Sequence, residues 1–154
     1  MKIGIMGGTF NPIHNAHLLI AEMAREEYGL DRVIFITDGN PPHKSANVTA
    51  KQRFEMTHIA IADNSAFEED DFEINRSEKS YTVNTLGYLK EKYPNNDLFF
   101  IIGEDSLNDF NKWYKPDKIL EMCSLLVFPR KSLKSLTETI KAVKEKMNGR
   151  IFPI

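Results

Sequence analysis

The chain has 154 residues, 42% of them apolar and 27% charged, with a formal charge of −2, the make-up of one globular domain spanning residues 1–154. So even a balance excludes the strong basic excess of a general nucleic-acid binder, and a single cysteine excludes an internal disulfide or a thiolate-built zinc site. The N-terminus carries one lysine and then a short apolar stretch broken by glycines, so it resembles neither a signal peptide nor a membrane span, and the expected compartment is the cytoplasm.

In chain order, "KIGIM" and "RVIFIT" read as β-branched strands, and "AHLLIAEMAREEYG" between them spaces Leu18, Ala21, Met23 and Ala24 as a helix that Gly29 ends. A long loop follows from Asp38 to Val48, then a helix from Thr49 to Ala62 carrying Phe54, Met56, Ile59 and Ala60, and a strand at Phe72 to Ile74. A second loop from Arg76 to Tyr81 leads to a helix from Thr82 to Lys92 and the strand "DLFFIIG". A helix from Pro116 to Met122 precedes "SLLVF", whose apolar flank predicts that Cys123 is buried core. Strands alternating with helices, and strands that are apolar throughout, predict a doubly wound parallel α/β sheet covered on both faces. In such sheets the loops at the carboxyl ends of the strands build the site.

The opening strand runs into "GGTFNP" and a helix that begins near His14. Unpaired N–H groups and the positive end of that helix favour a phosphate there. Gly7 and Gly8 are adjacent, with no third glycine at the dinucleotide-binding offset, and no Walker lysine follows. In that place stand His14 and His17, three residues apart, aimed off one helical face. Two histidines fall short of the three protein ligands of a catalytic zinc, whereas imidazole N–H groups suit phosphate oxygens.

The stretch "GGTFNPIHNAH" at 7–17 resembles the signature of nucleotidylyltransferases with an H-x-G-H motif. Three further stretches, "PPHK" at 41–44, "SYTVNTL" at 80–86 and "GEDSLNDFNKWYK" at 103–115, narrow the resemblance to the nicotinate mononucleotide adenylyltransferase family. The first stretch alone leaves phosphopantetheine adenylyltransferase and the cytidylyltransferases open. The resemblance implies a Rossmann-like fold and a step of NAD biosynthesis. In it, the phosphate of nicotinate mononucleotide attacks the α-phosphorus of ATP, releasing pyrophosphate and forming deamido-NAD. That nucleophile is already anionic, so positioning and charge stabilisation carry such a reaction and no covalent residue is needed.

By the same resemblance, His14 and His17 are the catalytic pair at the ATP phosphates, with Gly7, Gly8, Thr9 and Phe10 alongside. Gly103 and Asp105 close the ATP site, where Asp105 accepts hydrogen bonds from ribose hydroxyls. Lys44 sits over the mononucleotide phosphate. Thr82, also read as a helix N-cap, and Tyr114 offer backbone N–H groups to the nicotinate carboxylate, and Trp113 stacks on the pyridine ring. Its polar neighbours suit a partly exposed ring. Arg76 and Arg130 match basic family positions. Mg2+ travels with the ATP phosphates and needs no protein metal site.

The chain departs from the family pattern at several places. Ala16 stands at the glycine of the motif, Glu104 where alanine is usual, and Asn84 where aspartate is common. The family continues with an I-S-S-T-x-I-R segment that binds ATP phosphates, whereas this chain ends at "GRIFPI". The expectation is therefore a truncated chain with weaker ATP binding and a lower rate. A module that holds the mononucleotide without efficient catalysis is the alternative from another functional class. The final strand, with one face partly bare, invites association and leaves room for a homo-oligomer.

Overall fold

A computed structural model describes residues 1–10, 12–39, 49–76 and 81–154. Six strands form its sheet: β1 (Lys2–Gly8), β2 (Arg32–Thr37), β3 (Phe67–Asp70), β4 (Asp97–Gly103), β5 (Ser124–Phe128) and β6 (Ile151–Pro153). They pair in parallel in the order β3-β2-β1-β4-β5-β6. The helices are α1 (Asn15–Tyr28), α2 (Ala50–Ile61), α3 (Thr82–Lys92), α4 (Glu104–Asn108), α5 (Pro116–Met122) and α6 (Leu133–Lys146), with a 3-10 turn at Phe110–Lys112.

The continuous apolar character of the strands follows from burial on both sides. Ile3, Ile5, Ile34, Ile36, Phe100, Ile102, Leu125 and Val127 point into one layer, where Leu86 and Leu89 of α3, Leu107 of α4, Ile119 of α5 and Leu136 of α6 meet them. The alternate residues Met6, Val33, Phe35, Ile101 and Leu126 meet Ala21 and Ala24 of α1 and Ile61 of α2 on the opposite face. This is the period of two that a pleated strand imposes. Cys123 lies in the first layer, as expected, and burial pushes its thiol up to about 12. Among the described residues no helix is long and apolar enough to cross a membrane.

Local chemistry sets the helix ends. Thr49 Oγ1 accepts from the Gln52 N–H at 3.1 Å while Gln52 Oε1 accepts from the Thr49 N–H at 3.1 Å, a reciprocal cap that starts α2. Gly29 closes α1 at φ 63°, in the left-handed region that only glycine enters without a Cβ penalty.

Four expectations are corrected. The third strand is at 67–70, and residues 72–75 form a turn instead. Asp70 explains this: its carboxylate accepts the Phe72 N–H at 2.8 Å and turns the chain, and the Phe72 ring stacks on Tyr88 of α3 at 4.2 Å. The buried stripe of α2 is Arg53, Thr57 and Ile61, whereas Ile59 is 75% exposed. Met23 of α1 likewise faces out, and the two alanines carry the packing. Finally, α6, which no sequence expectation covered, packs on β6 and buries Ile151. The outer strand is thus less bare than expected, although Phe152 remains 37% exposed beside Tyr28 and Lys144.

The strand order places the topological switch between β1 and β4. Connections from these two strands leave toward opposite sides of the sheet, and their carboxyl ends open a crevice where ligands of doubly wound folds bind.

Candidate active site

At that crevice a cleft of about 450 Å³ is lined by Gly7 and Gly8 at the end of β1, Gly103 at the end of β4, His17 of α1, Thr82 and Thr85 of α3, and Trp113. Six of the sequence-predicted residues therefore share one cavity: Gly7, Gly8, His17, Thr82, Gly103 and Trp113. The walls also include Asp38, Glu73, Ser106 and Phe128, none of which carried a sequence expectation as site residues.

His14 and His17 organise the start of α1. His14 is the N-cap, its carbonyl accepting the His17 N–H at 3.0 Å. Its own N–H donates to Nδ1 of His17 at 3.1 Å. A ring nitrogen that accepts leaves the proton of a neutral imidazole on Nε2, so His17 is fixed as an Nε2–H donor. The two rings stack 3.8 Å apart, and the edge of Phe10 meets His17 at 5.2 Å. Burial, and next the neighbouring His14, hold the His17 pKa below its usual 6.5, which favours the neutral donor. Phe10 itself is buried at φ 49°, a left-handed conformation that bulky residues rarely adopt.

The side of the cleft formed by α3 also differs in detail from expectation. Tyr81, not Thr82, is the N-cap, and Thr82 is the first helical residue. Among the described residues no side chain caps this end, and its first turn has no acidic residue, a setting in which the positive end of a helix favours an anion. Thr85 Oγ1 donates to Glu73 Oε2 at 2.6 Å, tying the helix to the turn at 72–75. A Cβ on Gly39 would lie 2.4 Å from the Glu73 carbonyl oxygen, so only glycine allows the end of β2 to approach this turn.

Trp113 is half-buried, its ring against Phe110 at 5.0 Å and Phe100 at 6.1 Å, with one part left in the cleft wall. Tyr114 is exposed, its ring packed on Tyr81 at 4.8 Å. Asp105 lies on the surface beside Gly103 and pairs with Arg130 at 3.2 Å. Its neighbour Glu104 is buried and accepts from the Arg130 N–H at 3.2 Å, Ser135 at 2.9 Å and Thr139 at 3.3 Å. Those bonds, the Arg130 N–H first, hold its carboxyl below the usual carboxylate range. Asp105, His14, Thr9, Phe10 and Tyr114 do not line the cleft, although each adjoins a residue that does or packs against one. Arg76 rests its guanidinium on the Phe72 ring, 5.0 Å away, at the turn that brings Glu73 to the cleft wall. Lys44 and its loop lie outside the described residues.

The residue that sequence reasoning passed over is Arg53. It is 2% exposed, and its Nη1 donates to the carbonyl oxygens of Thr9 at 2.7 Å and Asp38 at 2.5 Å. The signal available in the sequence was a charged residue on the Arg53, Thr57, Ile61 stripe, four residues apart each time.

The six-stranded parallel sheet, with a glycine turn and paired histidines at its switch point, belongs to a nucleotidylyltransferase-type protein, since residues 5–149 match the cytidylyltransferase-like family. The chain is 47% identical over 144 residues to a probable nicotinate-nucleotide adenylyltransferase of Citrifermentans bemidjiense, covering 91% of this chain and 67% of that one. It is 51% identical over 132 residues to its counterpart in Pelobacter propionicus, covering 84% and 61%. The chain thus belongs to the nicotinate-nucleotide adenylyltransferases, a family of enzymes, and spans about two thirds of the length of these relatives. The fold also matches the Plasmodium falciparum nicotinic acid mononucleotide adenylyltransferase complexed with NaAD, with a TM-score of 0.77 at 22% identity, covering 99% of this chain and 75% of that one. A putative nicotinate-nucleotide adenylyltransferase from Vibrio parahaemolyticus matches with a TM-score of 0.70 at 26% identity, covering 96% and 84%.

Proposed function

We propose that this chain transfers AMP from ATP to nicotinate mononucleotide, forming deamido-NAD and pyrophosphate in NAD biosynthesis. The observation that carries the reading is the single cleft in which Gly7, Gly8 and His17 face Thr82 and Trp113. A phosphate-binding side and a side suited to an aromatic acid share one space. The relatives' names, and the NaAD held by the Plasmodium protein, support the same substrates.

In this reading a phosphate oxygen of the mononucleotide attacks the α-phosphorus as the bond to the β-phosphate oxygen breaks. No proton has to move. His17 donates its Nε2–H to the polyphosphate, with His14 and the backbone of Gly7, Gly8, Thr9 and Phe10 beside it, so that charge meets donors already in place. Gly103 admits the nucleoside and Asp105 accepts from its ribose hydroxyls. Trp113 stacks on the pyridine ring, the N-terminal end of α3 at Thr82 and the Tyr114 N–H receive its carboxylate, and Lys44 takes the mononucleotide phosphate. Magnesium would arrive on the triphosphate and neutralise its charge. A wall of donors with the carboxylates Asp38 and Glu73 suits an ion that draws most of its ligands from phosphate and water. The buried thiol of Cys123 fits the reducing cytoplasm as the place of action.

The test is pyrophosphate release from MgATP with nicotinate mononucleotide, nicotinamide mononucleotide or phosphopantetheine as acceptor. Release is expected with nicotinate mononucleotide and at most background with phosphopantetheine. The reverse order would overturn the assignment.

A further inference from the structure

The largest fully buried side chain in the described structure is a cation, Arg53. Desolvation makes a buried guanidinium costly unless its hydrogens are well used. Nη1 donates to two backbone carbonyls, and those carbonyls belong to different strand ends: Thr9 just past β1, and Asp38 just past β2.

The two carbonyls are not equivalent. Asp38 extends the β1–β2 ladder by one bond, its N–H donating to the Gly8 carbonyl at 2.9 Å. That makes it a fixed anchor. Thr9, by contrast, has left the ladder, and its carbonyl belongs to the peptide that enters Phe10 at φ 49°. In a trans peptide the C=O of one residue and the N–H of the next point in opposite directions. Holding the Thr9 oxygen toward Arg53 therefore turns the Phe10 N–H away from α2 and toward the other side of the turn. A cation at the oxygen also polarises the peptide, which strengthens its N–H as a donor. The positive φ of Phe10 is the backbone cost of this orientation, and strain of that kind persists only where the surroundings over-determine it.

We propose that Arg53 is a positioning residue for the adenylyl-transfer reaction: anchored on the Asp38 carbonyl, it locks the Thr9–Phe10 peptide so that the Phe10 N–H is presented to the ATP polyphosphate. The proposal rests on the functional reading above. Arg53 touches no substrate itself and acts through that peptide. Its loss falls on the phosphate side of the reaction, where charge changes between ground and transition state, and leaves the pyridine subsite intact.

The experiment compares wild-type protein with R53M, which keeps an apolar stem and removes every donor, and R53K, whose ammonium offers three donors on a stem one bond shorter. Pyrophosphate release is measured with each substrate varied, with melting temperature recorded alongside. R53M is expected to lower kcat by about 10- to 100-fold and raise KM for ATP, while KM for nicotinate mononucleotide stays within about twofold; R53K should fall between. This split separates positioning from general loosening, which would raise both KM values together. A folded R53M with kcat and KM for ATP within about twofold of wild type overturns the proposal. So does a loss confined to nicotinate mononucleotide. If R53M does not fold, R53K decides: kcat about threefold or more below wild type at an unchanged melting temperature supports the proposal, and wild-type kinetics overturns it. Should wild-type protein release no pyrophosphate from these substrates, the functional reading has failed. Calorimetric titration with MgATP then tests Arg53 alone, with binding at least about fivefold weaker in R53M as the supporting result and equal binding as the overturning one.

Discussion

His17 shows how a single side chain can be prepared for its task by the backbone it caps. The hydrogen bond from the His14 N–H occupies Nδ1 and so decides which nitrogen carries the proton. Burial keeps the pKa below 6.5, and the sign of the consequence follows. In the unfolded chain the ring takes up a proton as pH falls through 6.5, while the folded ring resists. The folded state thus has its full stability above pH 6.5 and loses this contribution as pH drops through the lower, folded value. A nitrogen-resolved NMR titration is expected to report the Nε2–H tautomer of His17 at neutral pH and a protonation midpoint below 6.5. A midpoint at or above 6.5, or a proton on Nδ1, would contradict the capping geometry. Glu104 is prepared in the same manner, since the Arg130 N–H and the hydroxyls of Ser135 and Thr139 fix its carboxylate between α4 and α6.

Between elements, Asp70 is the knot that joins β3 to α3. Its carboxylate accepts from the Tyr88 hydroxyl at 3.0 Å, the Lys92 ammonium at 3.0 Å and the Phe72 N–H at 2.8 Å. The carboxylate in turn raises the Lys92 pKa. Asp70→Ala should lower stability by about 1–3 kcal/mol, because the half-buried Tyr88 hydroxyl and a turn N–H lose their acceptor. Urea unfolding checks it, and a change under about 0.5 kcal/mol would mean that water replaces the carboxylate. This knot also explains what the sequence concealed. "KIGIM", "RVIFIT", "DLFFIIG" and "SLLVF" became strands as read, because continuous apolar runs have no other use in a sheet covered on both faces. "FEED" has one apolar residue in four and was passed over for "FEI", since its strand identity comes from pairing with β2 and not from its own composition. The site was legible in proportion to its motifs. Gly7, Gly8, His17, Thr82, Gly103 and Trp113 come from quoted stretches and meet in the cleft, whereas Arg53 and Glu73 act through backbone and hydroxyl partners that no spacing rule reveals. The buried face of α2 departs from the apolar pattern because a hydrophobicity pattern gives the Arg53 guanidinium no credit for burial.

For the whole molecule, the strand order makes the N-terminal β1 the centre of the sheet and brings β6 to its outer edge. β6 has only three residues, yet Ile151 is buried against α6 and the Tyr28 hydroxyl of α1 donates to the Pro153 carbonyl. The edge is therefore held from both layers, and Pro153 presents no N–H for a further strand. Ile151→Ala is expected to cost about 2–5 kcal/mol in a thermal or urea melt, as for other fully buried aliphatic residues. A smaller loss would mean that β6 frays independently of the core. The cleft wall has one further consequence. The chain has a single tryptophan, and that ring lines the cavity where the pyridine is expected to stack. Its ultraviolet emission is thus a built-in optical probe of one subsite, free of background from other indoles. Nicotinate mononucleotide should quench it in a saturable way, and ATP added alone should leave it nearly unchanged. The order in which the two substrates enter can then be followed in real time, with no label attached.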